Sequence, residues 1–441
     1  MQGRLLFTKG KFAVIPAVLL SASMWFYFDH ILVPRQVAEA AASGRPRGNL
    51  SDLYPRWLAA RELLLHKRNP YGFEITREIQ AGYYGRALDA SRPADPQDQQ
   101  AFAYPVYVVF ILAPTVRLPF NVVRRGFNDL LWVITGLSVV FWLRILRWKP
   151  SKSTMIALIA LTLGSLPAAQ GIKLQQLSLL VAPMLSASVA ALASRYLIVS
   201  GVLLALATIK PQLVWPLVLW LMIWTLADWR KRQPLAWSFG TTMLLLLVAS
   251  HIVLPGWIAD FRAAVEAYYR YTHNTSVLGW LLAPRLGDIF AVILVVGAAV
   301  LCRPFLREPS DSPNFGMVIA FLLALTVTIV PMLALYNQVL LLPALFLLVW
   351  KSPEFWRETR ITRMLYAATA LVVLWPWTAT CLLVLSSLLL PARVTLAGWK
   401  LPLVTTLTVP LLVLALMGLY VVKRARSEFL PVSRGMRSTA A

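Results

Sequence analysis

Residues 364–389 read MLYAATALVVLWPWTATCLLVLSSLL, a run without a single formal charge. As a helix rising about 1.5 Å per residue, it would exceed the ~30 Å of hydrocarbon in a bilayer, so it can cross unaided. Comparable apolar runs occur at about 12–33, 104–119, 127–146, 154–169, 177–193, 196–209, 213–226, 235–254, 288–301, 315–330, 338–350 and 403–422. They are Leu-rich and lack strict alternation. That favours helices over a β-barrel, the other architecture that satisfies its backbone hydrogen bonds in lipid. The expected fold class is therefore all-α: a polytopic transmembrane bundle of about twelve crossings. Residues 1–441 form one integral membrane domain in this reading.

Composition agrees, because a chain that is 59% hydrophobic and 14% charged has no soluble way to hide its apolar surface. The net charge of +23 does not point to nucleic acid, since Lys and Arg fall mainly in short connections where they anchor helix ends. Cys302 and Cys381 sit in or beside apolar segments without metal-ligand spacing, and neither a disulfide framework nor a zinc site is expected.

Arg4, Lys9 and Lys11 precede the first run and hold the N-terminus in the cytoplasm by the positive-inside rule. Ala38-Glu39-Ala40 resembles a cleavage site, but it lies well beyond a long apolar run, so an uncleaved anchor is expected. The cluster Arg144, Arg147, Lys149, Lys152 and the cluster Arg230, Lys231, Arg232 are four crossings apart and share the cytoplasmic side. Lys423, Arg424 and Arg426 bring the C-terminus there too. This parity makes 104–119 a re-entrant or half-membrane segment, short, Pro-interrupted and ending near Arg117, Arg124 and Arg125.

Between 34 and 103 the chain turns polar, with ten Lys or Arg and eight of its nineteen acidic residues. This is the large non-cytoplasmic loop, and 255–287 is a second outer loop holding Asp260, Tyr268, Tyr269, Tyr271, His273 and Asn274. In the first loop Leu53, Trp57, Ala60, Leu64 and Leu65 recur at helical spacing, which predicts an amphipathic helix in the plane of the interface, its apolar side in lipid. Asp52 stands at its start, where an N-cap is the local reading and a general base the functional one.

Four stretches resemble the polytopic GT-C glycosyltransferases, and within them family 87. They are Asp52 with Tyr54 and the closing Asn69-Pro70-Tyr71; Phe102-Ala103-Tyr104-Pro105 with Leu118-Pro119; Gly171-Ile172-Lys173-Leu174-Gln175-Gln176; and Gly201 followed by Lys210-Pro211-Gln212. Val106 stands where the family usually has a second Pro, and an amide of Gln175 or Gln176 replaces the usual Asn. The family includes bacterial polyprenyl-phosphomannose-dependent mannosyltransferases. The resemblance implies a multi-pass enzyme of the bacterial inner membrane with its site on the extracytoplasmic side. Its partners would be a polyprenyl-phosphate sugar donor and a lipid-linked or envelope glycan acceptor. Asp52 would be the base of an inverting displacement. Lys210, Gln212, Gln175, Gln176, Arg124 and Arg125 would attend the donor phosphate, and Tyr54, Tyr71, Tyr104 and His273 the sugars. A leaving phosphate already carries its charge, so no cofactor or metal is expected. The rival classes are a transporter or flippase for a lipid-linked saccharide and a scaffold subunit. No internal repeat or pair of broken helices favours the first.

Overall fold

A computed structural model describes residues 11–42, 51–89, 91–93, 95–272, 275–331 and 334–429, and among them no strand occurs. The first span opens as α1 (Lys11–Phe26), passes through a π-helical turn (Tyr27–Leu32) and continues as α2 (Val33–Ala42). It therefore runs past Pro34, where the outer loop was expected to begin. The loop itself is folded, with α3 (Leu53–His66) and α4 (Phe73–Tyr84) joined across Asn69-Pro70-Tyr71.

Residues 104–119 form only α5 (Val108–Leu112) and a 3-10 turn (Ala113–Thr115) before α6 (Phe120–Ile145) begins. Five helical residues rise about 8 Å, so this segment does not cross as a helix. A bent pair follows, α7 (Lys152–Leu163) and α8 (Leu166–Leu174), at 55°. The middle of the chain is α9 (Ser178–Ala193), α10 (Leu197–Ala207), α11 (Pro211–Ala227) and α12 (Trp229–Val253). The second outer loop is helical as well, α13 (Trp257–Thr272) and α14 (Val277–Leu282). Then come α15 (Pro284–Cys302), α16 (Pro313–Ile329), α17 (Leu342–Trp350), α18 (Ser352–Trp356), α19 (Arg360–Leu389), α20 (Ala392–Ala397) and α21 (Val409–Phe429).

Five helices among the described residues are long and apolar enough to cross a membrane, or six if the bent pair is one span, against the twelve or so expected from the apolar runs. The difference lies in the shorter apolar helices. α9, α10, α11, α16 and the Leu335–Trp350 segment have 10–17 residues and fall short of ~30 Å. These short helices include the interior of the bundle: α16 is buried at every position from Phe315 to Ile329. The long ones face outward, with Leu244, Leu245 and Ile252 of α12 and Val292, Val296 and Val300 of α15 exposed. A helix wrapped in protein has no hydrocarbon thickness to match, and length in the apolar runs reports lipid contact rather than helix count.

Contacts define two ends. At one, Arg147 meets Asp311 at 3.0 Å, and Arg232 donates to the carbonyls of Leu306, Arg307 and Glu308. Trp148 stacks on Trp350, and Arg424 reaches Glu354. α6, α9 and α11 all run from the opposite end to this one, so Phe120, Ser178 and Lys210 start together at the far end.

α3 is not laid against lipid. Its Leu53, Trp57, Ala60 and Leu63 are buried, and its partners are α5, α4, the 3-10 turn and α6. Trp57 Nε1 donates to Thr115 O at 3.2 Å, and Tyr54, Trp57 and Phe120 form an aromatic cluster. The segment 104–119 supplies the apolar cover that the sequence assigned to the bilayer.

α10 and α12 cross at Gly201, where a Cβ would come within 2.7 Å of the Leu235 carbonyl and 2.8 Å of the Phe239 amide. Gly201→Ala is expected to cost about 1–3 kcal/mol by overpacking, read as a lower unfolding midpoint in detergent. Gly240→Ala on the same α12, with nothing within 4 Å, should be neutral or gain up to about 1 kcal/mol of helix propensity.

Candidate active site

α8 ends in a left-handed residue, Gln175 (φ 52°), and the chain reverses there: Gln176 N donates back to Gly171 O at 2.8 Å and Gln175 N to Ile172 O at 3.1 Å. This is a Schellman-type stop. Gly171 is small because Leu179 of α9 packs onto it, with 2.1 Å between a built Cβ and Leu179 Cδ1. The turn throws Gln176 away from the helix axis toward the outer loop. There, Asp52 N donates to Leu174 O at 2.9 Å, pinning the start of α3 beside it.

Asp52 holds the position of an N-cap but makes no cap hydrogen bond, and its backbone is already helical (φ −69°, ψ −11°). Its carboxylate faces inward, accepting from Gln176 Nε2 on one oxygen and from the Tyr83 hydroxyl at 3.3 Å on the other. Gln176 Oε1 in turn accepts from Lys210 Nζ at 3.0 Å. A carboxylate only accepts and an ammonium only donates, so one amide orientation serves both. Lys210 also donates to Ser178 Oγ at 2.8 Å, and Ser178 donates to Asn337 Oδ1 at 2.7 Å. Lys210 precedes Pro211, the first residue of α11, and the proline holds it outside the helix with its side chain turned inward. The ammonium, on a residue only 2% exposed, lies 5.2 Å from the Tyr336 ring and 5.8 Å from that of Tyr104.

A cavity of about 190 Å³ opens on the far side of this chain of bonds, with Lys210, Gln212, Tyr104, Arg56, Tyr268 and Tyr336 on its walls. Two cations face it. Arg56 reaches it from α3, its guanidinium 4.6 Å over the Tyr104 ring and donating to Asp52 O at 2.6 Å. Burial works against its charge, but Tyr104 and Asp52 outweigh that and hold the group above its ordinary pKa. Asp52 is not on the cavity wall; it stands behind it, one amide away from Lys210.

The expected site residues separate into groups. Asp52, Gln176, Lys210, Gln212 and Tyr104 come together. Gln175 does not join them, for its amide is folded onto the carbonyls of Ile172 and Lys173, at 2.9 and 2.8 Å. Tyr54 packs against Gly82, Trp57 and Phe120 rather than on the cavity. Tyr71 donates to Tyr104 O at 2.6 Å and so braces the cavity from behind. Arg124 and Arg125 sit in the first turns of α6, off the cavity wall, and Arg125 Nε is turned back to Asn121 O at 3.3 Å. His273 and Asn274 lie outside the described residues. Arg56, Tyr83, Ser178 and Tyr336 escaped the sequence reading of the site. For Arg56 a signal existed, since i+4 from Asp52 places it on the same helical face.

A model of glycosyltransferase family 87 matches residues 102–333, just over half of the chain. The chain belongs to glycosyltransferase family 87. The match takes in Tyr104, Gln176, Lys210, Gln212 and Asn274, and begins after Asp52 and Arg56. No curated protein and no solved structure matches. Membership makes the chain a glycosyltransferase, acting on a sugar donor and an acceptor, and its outward-facing apolar helices suit a membrane enzyme. It also sets aside the carrier and scaffold readings.

Gln176 is the joint of this transferase's site. Gln176→Leu keeps the volume but leaves both Lys210 and Asp52 short of a partner in a poorly hydrated place. A loss of about 1–3 kcal/mol per stranded group is expected, measured as a lower unfolding midpoint in detergent. Gln176→Glu, which still accepts from Lys210 but sets a second carboxylate against Asp52, should lower the midpoint as well, through like-charge repulsion.

Proposed function

We propose that the enzyme transfers a sugar, with mannose the first choice, from a polyprenyl-phosphate donor to a hydroxyl of a lipid-linked or envelope glycan. The observation that carries this is the single polar chain from Asp52 through Gln176 to Lys210, with a base at one end and a cation on a cavity wall at the other. The donor phosphate occupies the cavity, where Lys210 and Arg56 stabilise the charge it keeps on leaving. Arg56 presents a planar fork suited to phosphate oxygens, and Lys210 a point charge.

In the reaction the acceptor oxygen attacks the anomeric carbon as the carbon–oxygen bond to phosphate breaks. The bonding pair departs with the polyprenyl phosphate, and the acceptor proton passes to Asp52. One displacement inverts the anomeric centre. An apolar groove between α7, α8, α17 and α19 offers a course for the prenyl chain. It reaches Gln338, two residues from Tyr336 on the cavity wall, so lipid tail and phosphate could be held by adjoining parts of one segment. The basic clusters gather at the opposite end of the bundle, and the positive-inside rule, which favours a cytoplasmic place for that end, supports reading the site as extracytoplasmic in a bacterial inner membrane.

Purified enzyme in nanodiscs, with radiolabelled polyprenyl-phosphomannose and an envelope lipid extract, tests the reading. Asp52→Asn is expected to lower transfer by roughly 10³-fold or more while donor binding persists, since general-base removal costs about 10²–10⁴-fold. Lys210→Ala and Arg56→Ala should weaken donor binding instead. Label that stays on polyprenol in wild type and variants alike would sink the proposal.

A further inference from the structure

A cleft of about 890 Å³ lies in the outer loop, apart from the cavity beside Lys210, with Phe73, Arg77, Gln80, Gln99, Asp95 and Tyr271 among its walls. That size falls within the ~300–1,000 Å³ that ligand clefts occupy. Nothing in the site above uses it. Its position follows from two helices that serve both places. On α4, Tyr83 donates to Asp52, and Gln80, three residues earlier, walls the cleft. On α13, Tyr268 walls the Lys210 cavity, and Tyr271, three residues later, walls the cleft. Residues three apart lie one helical turn, about 5 Å, along the axis. Cleft and cavity thus flank the Asp52 region, and Asn69 Nδ2 ties the α3–α4 connection to Asp260 of α13 at 2.9 Å, which holds the two shared walls together.

The lining identifies the ligand class. Arg86 is matched by Asp95 and Arg92 by Asp89, so most formal charge is cancelled internally. What remains is the Arg77 guanidinium, an amide, a phenol and one exposed aromatic face. Gln80 and Gln99 brace the wall, Gln80 Nε2 donating to Gln99 Oε1 at 2.9 Å and Gln80 Oε1 accepting from Leu88 N at 3.1 Å, so Gln97 is the amide offered to a ligand, beside the Arg77 guanidinium. Tyr271 has a buried hydroxyl without a hydrogen-bond partner among the described residues. Phe73 is 75% exposed at the head of α4, with the Arg77 guanidinium 5.8 Å over its ring. A phosphorylated ligand would be better met by a cluster of cations than by Arg77 alone. Sugar hydroxyls, which both donate and accept, suit an amide, a phenol and a guanidinium, and the apolar face of a pyranose suits an exposed ring.

We infer that this cleft is the binding subsite for the acceptor, a neutral oligosaccharide whose terminal hydroxyl is led past Tyr83 to Asp52. The inference rests on the transfer reaction proposed above for its direction, but not for the binding itself. The acceptor hydroxyl then comes with Asp52 to the face of the anomeric carbon opposite the departing phosphate, as a displacement with inversion demands.

The full-length protein in nanodiscs is titrated with manno-, gluco- and arabino-trisaccharides, and saturation-transfer NMR reads contact with the sugar protons. At least one trisaccharide is expected to receive saturation in wild type. Affinity should fall about tenfold or more in the double variant Phe73→Ala, Arg77→Ala, the loss of one stacked face and one charged donor. Both side chains are exposed, so the fold tolerates the change. Lys210→Ala should leave trisaccharide binding intact. No saturation from any of the three, or equal saturation in wild type and double variant, overturns the inference. Failure of the transfer reaction alone leaves the trisaccharide result to stand or fall separately.

Discussion

One buried ammonium organises the outer end of this bundle. Lys210 sits at the head of α11 with its charge among Tyr104, Tyr336 and helix ends. An ammonium taken out of water costs several kcal/mol unless its protons are all placed. Gln176 and Ser178 accept two of them, and each of those acceptors is held by something else: Gln176 by the left-handed turn after α8, Ser178 by Asn337. Because the amide of Gln176 is thereby fixed with its oxygen on lysine, its nitrogen has to point at an acceptor. That acceptor is Asp52. Cation and carboxylate are kept near each other but not in contact, with one amide between them.

The rest of the fold can be seen as support for this arrangement. Lys173, just before the turn, pairs with Asp29 in the π-helical turn of the first span and lies 5.2 Å from the Trp25 ring, so the end of α8 is anchored to the N-terminal helix. Asn69-Pro70-Tyr71 holds Tyr104 from behind through the Tyr71 hydroxyl, and the short α5 segment fills the space under α3. Short helices form the interior and long ones the perimeter. The candidate site stands on α8, α9 and α11, of which α9 is buried along most of its length while α11 keeps an outer face at Trp215, Leu219 and Ile223.

Much of this was legible beforehand, for identifiable reasons. Lys210 announces itself as a charge between two apolar runs, and Pro211 after it marks the break. At Gly171 and Gly201 neighbouring helices approach too closely for a side chain, so glycine there marks a crossing. Other features had no local signature. Gln175 and Gln176 are identical neighbours, and only the sign of one φ angle decides which of them faces Asp52. The basic pair Arg124 and Arg125 follows the short segment 104–119 in sequence, which makes both candidates for the donor phosphate. The continuous α6 leaves them off the cavity wall. The apolar side of α3 read as lipid-facing because burial against protein and burial in lipid select the same residues.

By itself, then, the sequence determined the class of fold, the family and the polar residues that apolar surroundings make costly. These depend on composition and on hydrogen-bonding demand, which are properties of residues and short stretches. Only the tertiary structure decided how many helices are long enough to span, which amide bridges Asp52 to Lys210, and that Arg56 rather than Arg124 joins the cavity. Such choices depend on distances between segments more than a hundred residues apart, and no pattern within a single helix encodes them.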